Sequence, residues 1–257
     1  MENYLFSYGN YNKMCDCIQK TGLLCDYSDV LTQGLDQFIV LRHDVEFSPE
    51  RAYNLAKFEN QINIVSSYFF QITNNAYNTL SGYNVGLLKE IHAMGHHIGL
   101  HFHLNGMTDI AQISVRIKYE AELLSYYLGL EVDRFSFHRP TAHVLERNLK
   151  IEGLINAYAP EFFTYYDADS EIPPQVNTKY IADSKNNWQY TAPYPYPSEK
   201  FFEEYKRIQI LCHPYSWTET GYETLSNLRS LISEKRVEFI QTLNSETKYV
   251  KEYINEL

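Results

Sequence analysis

Three short apolar runs in this chain each lead into residues that bind metals or move protons. The first reads Leu41-Arg42-His43-Asp44-Val45-Glu46. In an extended strand, residues two apart share a face, so Asp44 and Glu46 project together and His43 projects oppositely. The second reads Gly95-His96-His97-Ile98-Gly99-Leu100-His101-Phe102-His103, where the same parity places His97, His101 and His103 on one face. The third, Ile210-Leu211-Cys212-His213-Pro214, ends on a single histidine. Carboxylate and imidazole groups gathered from neighbouring strands make a site for zinc or a similar divalent ion, cobalt and nickel included. With one position open, such an ion acidifies water and polarises a carbonyl. A lone histidine after a strand is more often structural, and it is the coincidence of three such strand ends that carries the metal reading. His92-x-x-x-His96 is set aside, because it lacks the glutamate of a zinc-protease helix and contains Gly95.

The elements that must position these residues alternate. Residues 11–20 read as a helix and 38–41 as a buried strand running into 42–44; Ser48-Pro49 then starts a helix with serine as cap and proline at the first helical position. Residues 64–70 are β-branched and aromatic, hence a strand. A helix over 84–94 ends at Gly95, strand 97–103 follows, and a helix over 109–129 also ends at a glycine. Next come strand 135–137 and helix 142–150, then short strands near 155–158, 162–165 and 178–182. A Pro/Tyr-rich loop at 192–198, strand 208–212 and a helical tail from 221 complete the chain. Strands alternating with helices predict a parallel sheet or barrel, whose functional residues gather at the C-terminal strand ends. We expect a single α/β domain over residues 1–257.

Composition bounds the function. The 257 residues carry a formal charge of −10 with no run of Lys or Arg, which argues against a dedicated nucleic-acid binder. Cys15, Cys17, Cys25 and Cys212 are too scattered for a disulfide scaffold or a zinc knuckle. No basic-then-apolar leader and no membrane-length apolar run are present, so the expectation is a cytoplasmic protein without a membrane span. The 23 tyrosines suit core edges and carbohydrate-facing clefts alike.

Five segments, in order and spanning residues 38–215, resemble the polysaccharide deacetylase (NodB-homology, carbohydrate esterase family 4) superfamily, in its divergent polysaccharide-biosynthesis-locus branch. They are Arg42-His43-Asp44-Val45-Glu46-Phe47-Ser48-Pro49, Gly95 to His101, Phe135-Ser136-Phe137-His138-Arg139-Pro140, Ile181-Ala182-Asp183-Ser184 with Trp188, and Leu211-Cys212-His213-Pro214. The resemblance implies a distorted (β/α)7-type barrel and an Asp–His–His metal triad. It also implies an aspartate base oriented by an arginine, and a late histidine as general acid. His101 matches the first metal histidine, His213 the acid, Asp44 the acidic motif and Arg139 the orienting arginine. Two positions depart: Val45 stands where the family keeps its metal aspartate, and Asn105 where it keeps its second metal histidine. Either the site is rebuilt from Asp44 or Glu46 with His101 and His103, or it is lost. Asp44 and Glu46 share the base and ligand roles, with neither assigned to one. His138, Asp183, Trp188, Tyr215 and Trp217 are expected to line or support the substrate pocket.

Three functions compete on these residues. The first is metal-dependent N-deacetylation of an amino sugar or sugar-linked intermediate. The second is hydrolysis of a small non-sugar amide on the same barrel. The third is a non-catalytic carbohydrate-binding protein that kept the fold.

Overall fold

The structure, a computed structural model, describes residues 6–164, 177–189, 197–249 and 253. Seven strands, all parallel, form one curled sheet: β1 (Phe38–Val45), β2 (Ser67–Phe70), β3 (His97–His103), β4 (Arg134–His138), β5 (Ile155–Asn156), β6 (Thr178–Ala182) and β7 (Arg207–Cys212). Their order is β5-β4-β3-β2-β1-β7-β6, so β1, the strand bearing Asp44, lies in the middle. Among the described residues β5 and β6 do not pair with each other, which makes this an open, distorted (β/α)7-type barrel. The helices are α1 (Tyr8–Thr21), α2 (Tyr27–Gln33), α3 (Pro49–Gln61), α4 (Gly82–Ala93), α5 (Ile110–Leu128), α6 (Ala142–Leu145), α7 (Glu199–Glu204) and α8 (Thr224–Glu246). No helix among the described residues is long and apolar enough to cross a membrane.

All eight residues of β1 are buried, because a parallel strand is covered on both faces. Phe38 and Val40 point inward and pack with Tyr27, Val30, Phe69 and Phe162, plugging the N-terminal end of the barrel. Ile39 and Leu41 point outward against α1, α3 and α7, and Val45 against α3 and α4. The same alternation turns Ile98, Leu100 and Phe102 of β3 outward. His97, Gly99, His101 and His103 therefore share the inner face, as the sequence parity requires. Gly99 sits directly against the side chains of Phe69 and Arg134. A Cβ added there would lie 2.5 Å from Phe69 Cδ1 and 2.9 Å from Arg134 Cγ, with one contact the stem of a buried side chain. Gly99→Ala is expected to lower stability by about 1–3 kcal/mol, measured by urea unfolding; an unchanged midpoint would mean that Phe69 can yield.

Capping follows the sequence signals. Ser48 accepts from Arg51 N with Pro49 at the helix start, and Gly129 closes α5 in the left-handed region at φ 63°. Several boundaries differ from the sequence expectation. α2 was not anticipated; its Asp26 cap and Asp29 form a reciprocal capping box, but its seven residues are too few to show a periodicity. The helix expected over 142–150 stops at Leu145, and the strand expected near 155–158 holds only Ile155 and Asn156. Residues 162–164 form turn and coil instead of a strand, because Phe162 turns into the barrel plug; residue 165 lies outside the described residues. Of the Pro/Tyr-rich loop at 192–198, residues 192–196 lie outside them as well.

The C-terminal helix is tied to the site's periphery. Arg51, nearly buried in the first turn of α3, donates to Asn227 Oδ1 at 2.6 Å, to Ser230 Oγ at 3.1 Å and to both carboxylate oxygens of Glu234 at 2.8 Å. It also donates to the carbonyl of Tyr215, two residues beyond His213.

Candidate active site

Strand register assembles the inner face. β3 pairs with β4 so that His101 lies opposite Ser136 and His103 opposite His138, while β1 pairs with β7 so that His43 lies opposite Cys212. Asp44, Ser136, His101, His138 and His213 thus converge where their strands end, and Glu46 joins them from the residue after β1.

One oxygen of Glu46 and one ring nitrogen each of His101 and His138 lie within 4.8 Å of one another. His138 Nδ1 is 3.3 Å from His101 Nε2 and 3.1 Å from Glu46 Oε1. Ligands of a divalent ion with bonds of about 2.0–2.1 Å stand about 3.3 Å apart, so these separations fit such an ion. Burial lowers the His101 imidazole to about 4 against the opposing pull of Asp44, so at neutral pH it is an uncharged ring able to coordinate. Burial works against the charge of Glu46, yet the hydrogen bond from His138 and the field of His213 hold its carboxyl below the ordinary value.

His213 is built differently. Its Nδ1 lies 2.5 Å from Asp183 Oδ1, and its own backbone N–H donates to the same carboxylate at 2.9 and 3.0 Å. Trp217 Nε1 donates to Asp183 Oδ2 at 2.8 Å, so Asp183, fully buried, is saturated by this loop. Burial pushes the imidazole down, but the Asp183 pairing overrides it and raises His213 to about 9. The free Nε2 faces the site, 3.9 Å from Glu46 Oε1. The result is a cationic histidine able to donate a proton beside an uncharged one.

The sequence-predicted residues therefore separate. Glu46, His101, His138 and His213 meet. Asp44 is 2% exposed and enclosed by Arg42 and Ser136, so Glu46 is the carboxylate that opens to the site. His103 was expected as the second metal histidine but stands outside the group; its ring packs edge-on against His138 at 4.8 Å. The residue opposite it in register, His138, expected only to line the pocket, lies in the group instead. Asn105 turns away toward Thr73, and Val45 faces the helices. Arg139, expected to orient the base, is exposed in a left-handed backbone conformation (φ 49°) and makes no ion pair among the described residues. Trp217 and Trp188 are not cleft walls: they are 1% and 6% exposed and pack with Phe6 behind the His213 loop. Tyr215 stays partly exposed, edge-on to Phe47 at 4.9 Å and 5.9 Å from the His213 ring. Sequence reasoning passed over Ser136 and undervalued His138, although their spacing in β4 is the same two-residue signal read in β3.

No family model and no curated protein matches the chain. Among solved structures it is similar to the chitin deacetylase from the fungal pathogen Colletotrichum lindemuthianum, at 16% identity over 77% of this chain and 81% of that one, TM-score 0.45. It is also similar to a CE4 family pseudoenzyme from Bacillus anthracis, at 12% identity over 79% of this chain and 61% of that one, TM-score 0.44. A third is the family 4 carbohydrate esterase from Streptomyces lividans in complex with acetate, at 13% identity over 77% and 89%, TM-score 0.41. What the site can do rests on its own geometry.

Proposed function

We propose that this protein is a metal-dependent hydrolase of amide bonds, acting as an N-deacetylase on an amino sugar or a sugar-linked intermediate. The observation that carries the reaction type is the meeting of Glu46, His101 and His138 with a His213 held by Asp183. The substrate class comes from the motif resemblance alone. Glu46, His101 and His138 would hold a divalent ion, with zinc, cobalt or nickel suited to two imidazoles and a carboxylate. When bound, such an ion supplies Lewis acidity for the carbonyl oxygen and for water.

The chain's own groups supply the proton transfers. A carboxylate has two oxygens, so ligation by one leaves the other of Glu46 to take a proton from the attacking water. The water oxygen bonds to the carbonyl carbon; the C–N bond then breaks with its electron pair going to nitrogen. His213 Nε2 protonates that nitrogen, releasing a free amine and acetate. Tyr215 and Phe47 offer an apolar edge beside His213 on which a sugar face can rest.

The test combines metal and substrate. Protein purified without chelator is expected to carry stoichiometric divalent metal and to release acetate from N-acetylated amino sugars, and His101→Ala to lose both. Wild-type protein that binds cobalt or zinc no tighter than His101→Ala would sink the metal reading. Acetate release from small amides but from no N-acetyl sugar would sink the substrate assignment.

A further inference from the structure

Beneath His101 the barrel interior holds a chain of polar groups that the proposed reaction does not use. Arg42 is fully buried. Its guanidinium donates to Asp44 Oδ2 at 3.1 Å, to Tyr158 OH at 2.8 Å and to Gln209 Oε1 at 3.2 Å, with its carbon 4.5 Å from the Tyr158 ring centroid. Tyr158, Gln209 and the cation–π contact lock the guanidinium in one orientation, and that orientation fixes the Asp44 carboxylate. The other oxygen, Asp44 Oδ1, accepts from Ser136 Oγ at 3.2 Å, and Ser136 Oγ lies 2.8 Å from His101 Nδ1.

The hydrogen count then decides the histidine. A carboxylate paired to a guanidinium only accepts, so the single hydroxyl hydrogen of Ser136 goes to Asp44. Ser136 Oγ must therefore accept from His101, which puts the ring hydrogen on Nδ1 and leaves Nε2 with its lone pair. Nε2 is the atom 3.3 Å from His138 Nδ1. The opposite polarity would set a hydroxyl lone pair against the carboxylate and aim an N–H at the ion's place.

We infer that Arg42, Asp44 and Ser136 form a positioning relay that fixes the tautomer and orientation of His101, presenting a bare Nε2 to a divalent cation. The inference rests on the reading of Glu46, His101 and His138 as the cation-binding group. In it Asp44 acts through His101 and not on the substrate, and its partner is Arg42, two residues earlier on the same strand, rather than Arg139. Outer partners of this kind typically change metal affinity by about 10–100-fold.

Two measurements test it. In metal-free protein with nitrogen-15-labelled histidine, the His101 resonances, identified by their loss in His101→Ala, are expected to show the Nδ1–H form; the Nε2–H form would overturn the relay. In chelator competition with cobalt, Ser136→Ala and Arg42→Met are expected to weaken binding by about 10–100-fold. Arg139→Ala is expected to match wild type. Should Arg42→Met fail to fold, Ser136→Ala carries the test, and a folded Ser136→Ala with wild-type cobalt affinity overturns the proposal. The tautomer is read without metal. Failure of the cation-binding reading, in which wild type binds cobalt no tighter than His101→Ala, is thus separate from failure of the relay.

Discussion

His213→Ala is expected to lower kcat by about 10²–10⁴-fold on any N-acetylated substrate the wild type hydrolyses, while cobalt affinity stays at the wild-type value. The two halves of this result come from two different constructions. The nitrogen leaving an amide is a poor leaving group until protonated, and in the proposed reaction the group that protonates it is His213, raised to about 9 by Asp183 despite its burial. Its Nε2 stands 3.9 Å from Glu46 Oε1, outside the group that would hold the ion. Removal of the ring would therefore take away the proposed acid and leave the proposed cation-binding group. Steady-state kinetics and a chelator competition on the same preparation check both halves. A fall in kcat of less than about tenfold would remove His213 from the acid's role, and a large loss of cobalt affinity would make it a ligand instead.

The second large effect lies behind the sheet. Glu59 on α3 is fully buried and accepts from Tyr68 OH and Ser66 Oγ at 2.7 Å and from Tyr11 OH, with His43 Nε2 at 2.9 Å. An amide cannot accept from all of these, so Glu59→Gln leaves buried donors unpaired and is expected to cost about 3–5 kcal/mol in urea unfolding at neutral pH. Burial works against the Glu59 charge, yet His43 and these hydrogen bonds hold its carboxyl at about 2 against a usual 4.5. With the folded value depressed, the contribution is full above about 4.5 and is lost as pH falls through about 2. A shift of this size corresponds to about 3 kcal/mol. The stability gap between wild type and Glu59→Gln should therefore shrink over that window. A gap unchanged from neutral pH down to about 2.5 would show that the charge of Glu59 contributes nothing.

Much of this site could be read along single strands. The two-residue alternation placed Asp44 with Glu46 and His101 with His103 on inner faces, and turned His43 away, where it binds Glu59 and Tyr11. Caps at Ser48 and Gly129 and the limits of β3 were equally local, because each depends on neighbours within a few residues. The misreadings have separate causes. α2 is too short for a periodic signal, and Phe162 left the expected strand because the barrel needed an interior plug.

Alternation says which side chains share a face, but not which strands stand side by side or in what register. Residue types and spacing by themselves determined a parallel α/β fold, its inward-facing carboxylates and imidazoles, and three of the four strand ends that bear the candidate site. Only the tertiary structure decided that His138 and not His103 meets His101 and Glu46. It also set Arg42, not Arg139, against Asp44, and sank Trp217 beneath His213 as a donor to Asp183. These outcomes depend on inter-strand offset and on the direction of long side chains. Both are fixed by packing between segments far apart in the chain, as Arg42 and Gln209, 167 residues apart, are.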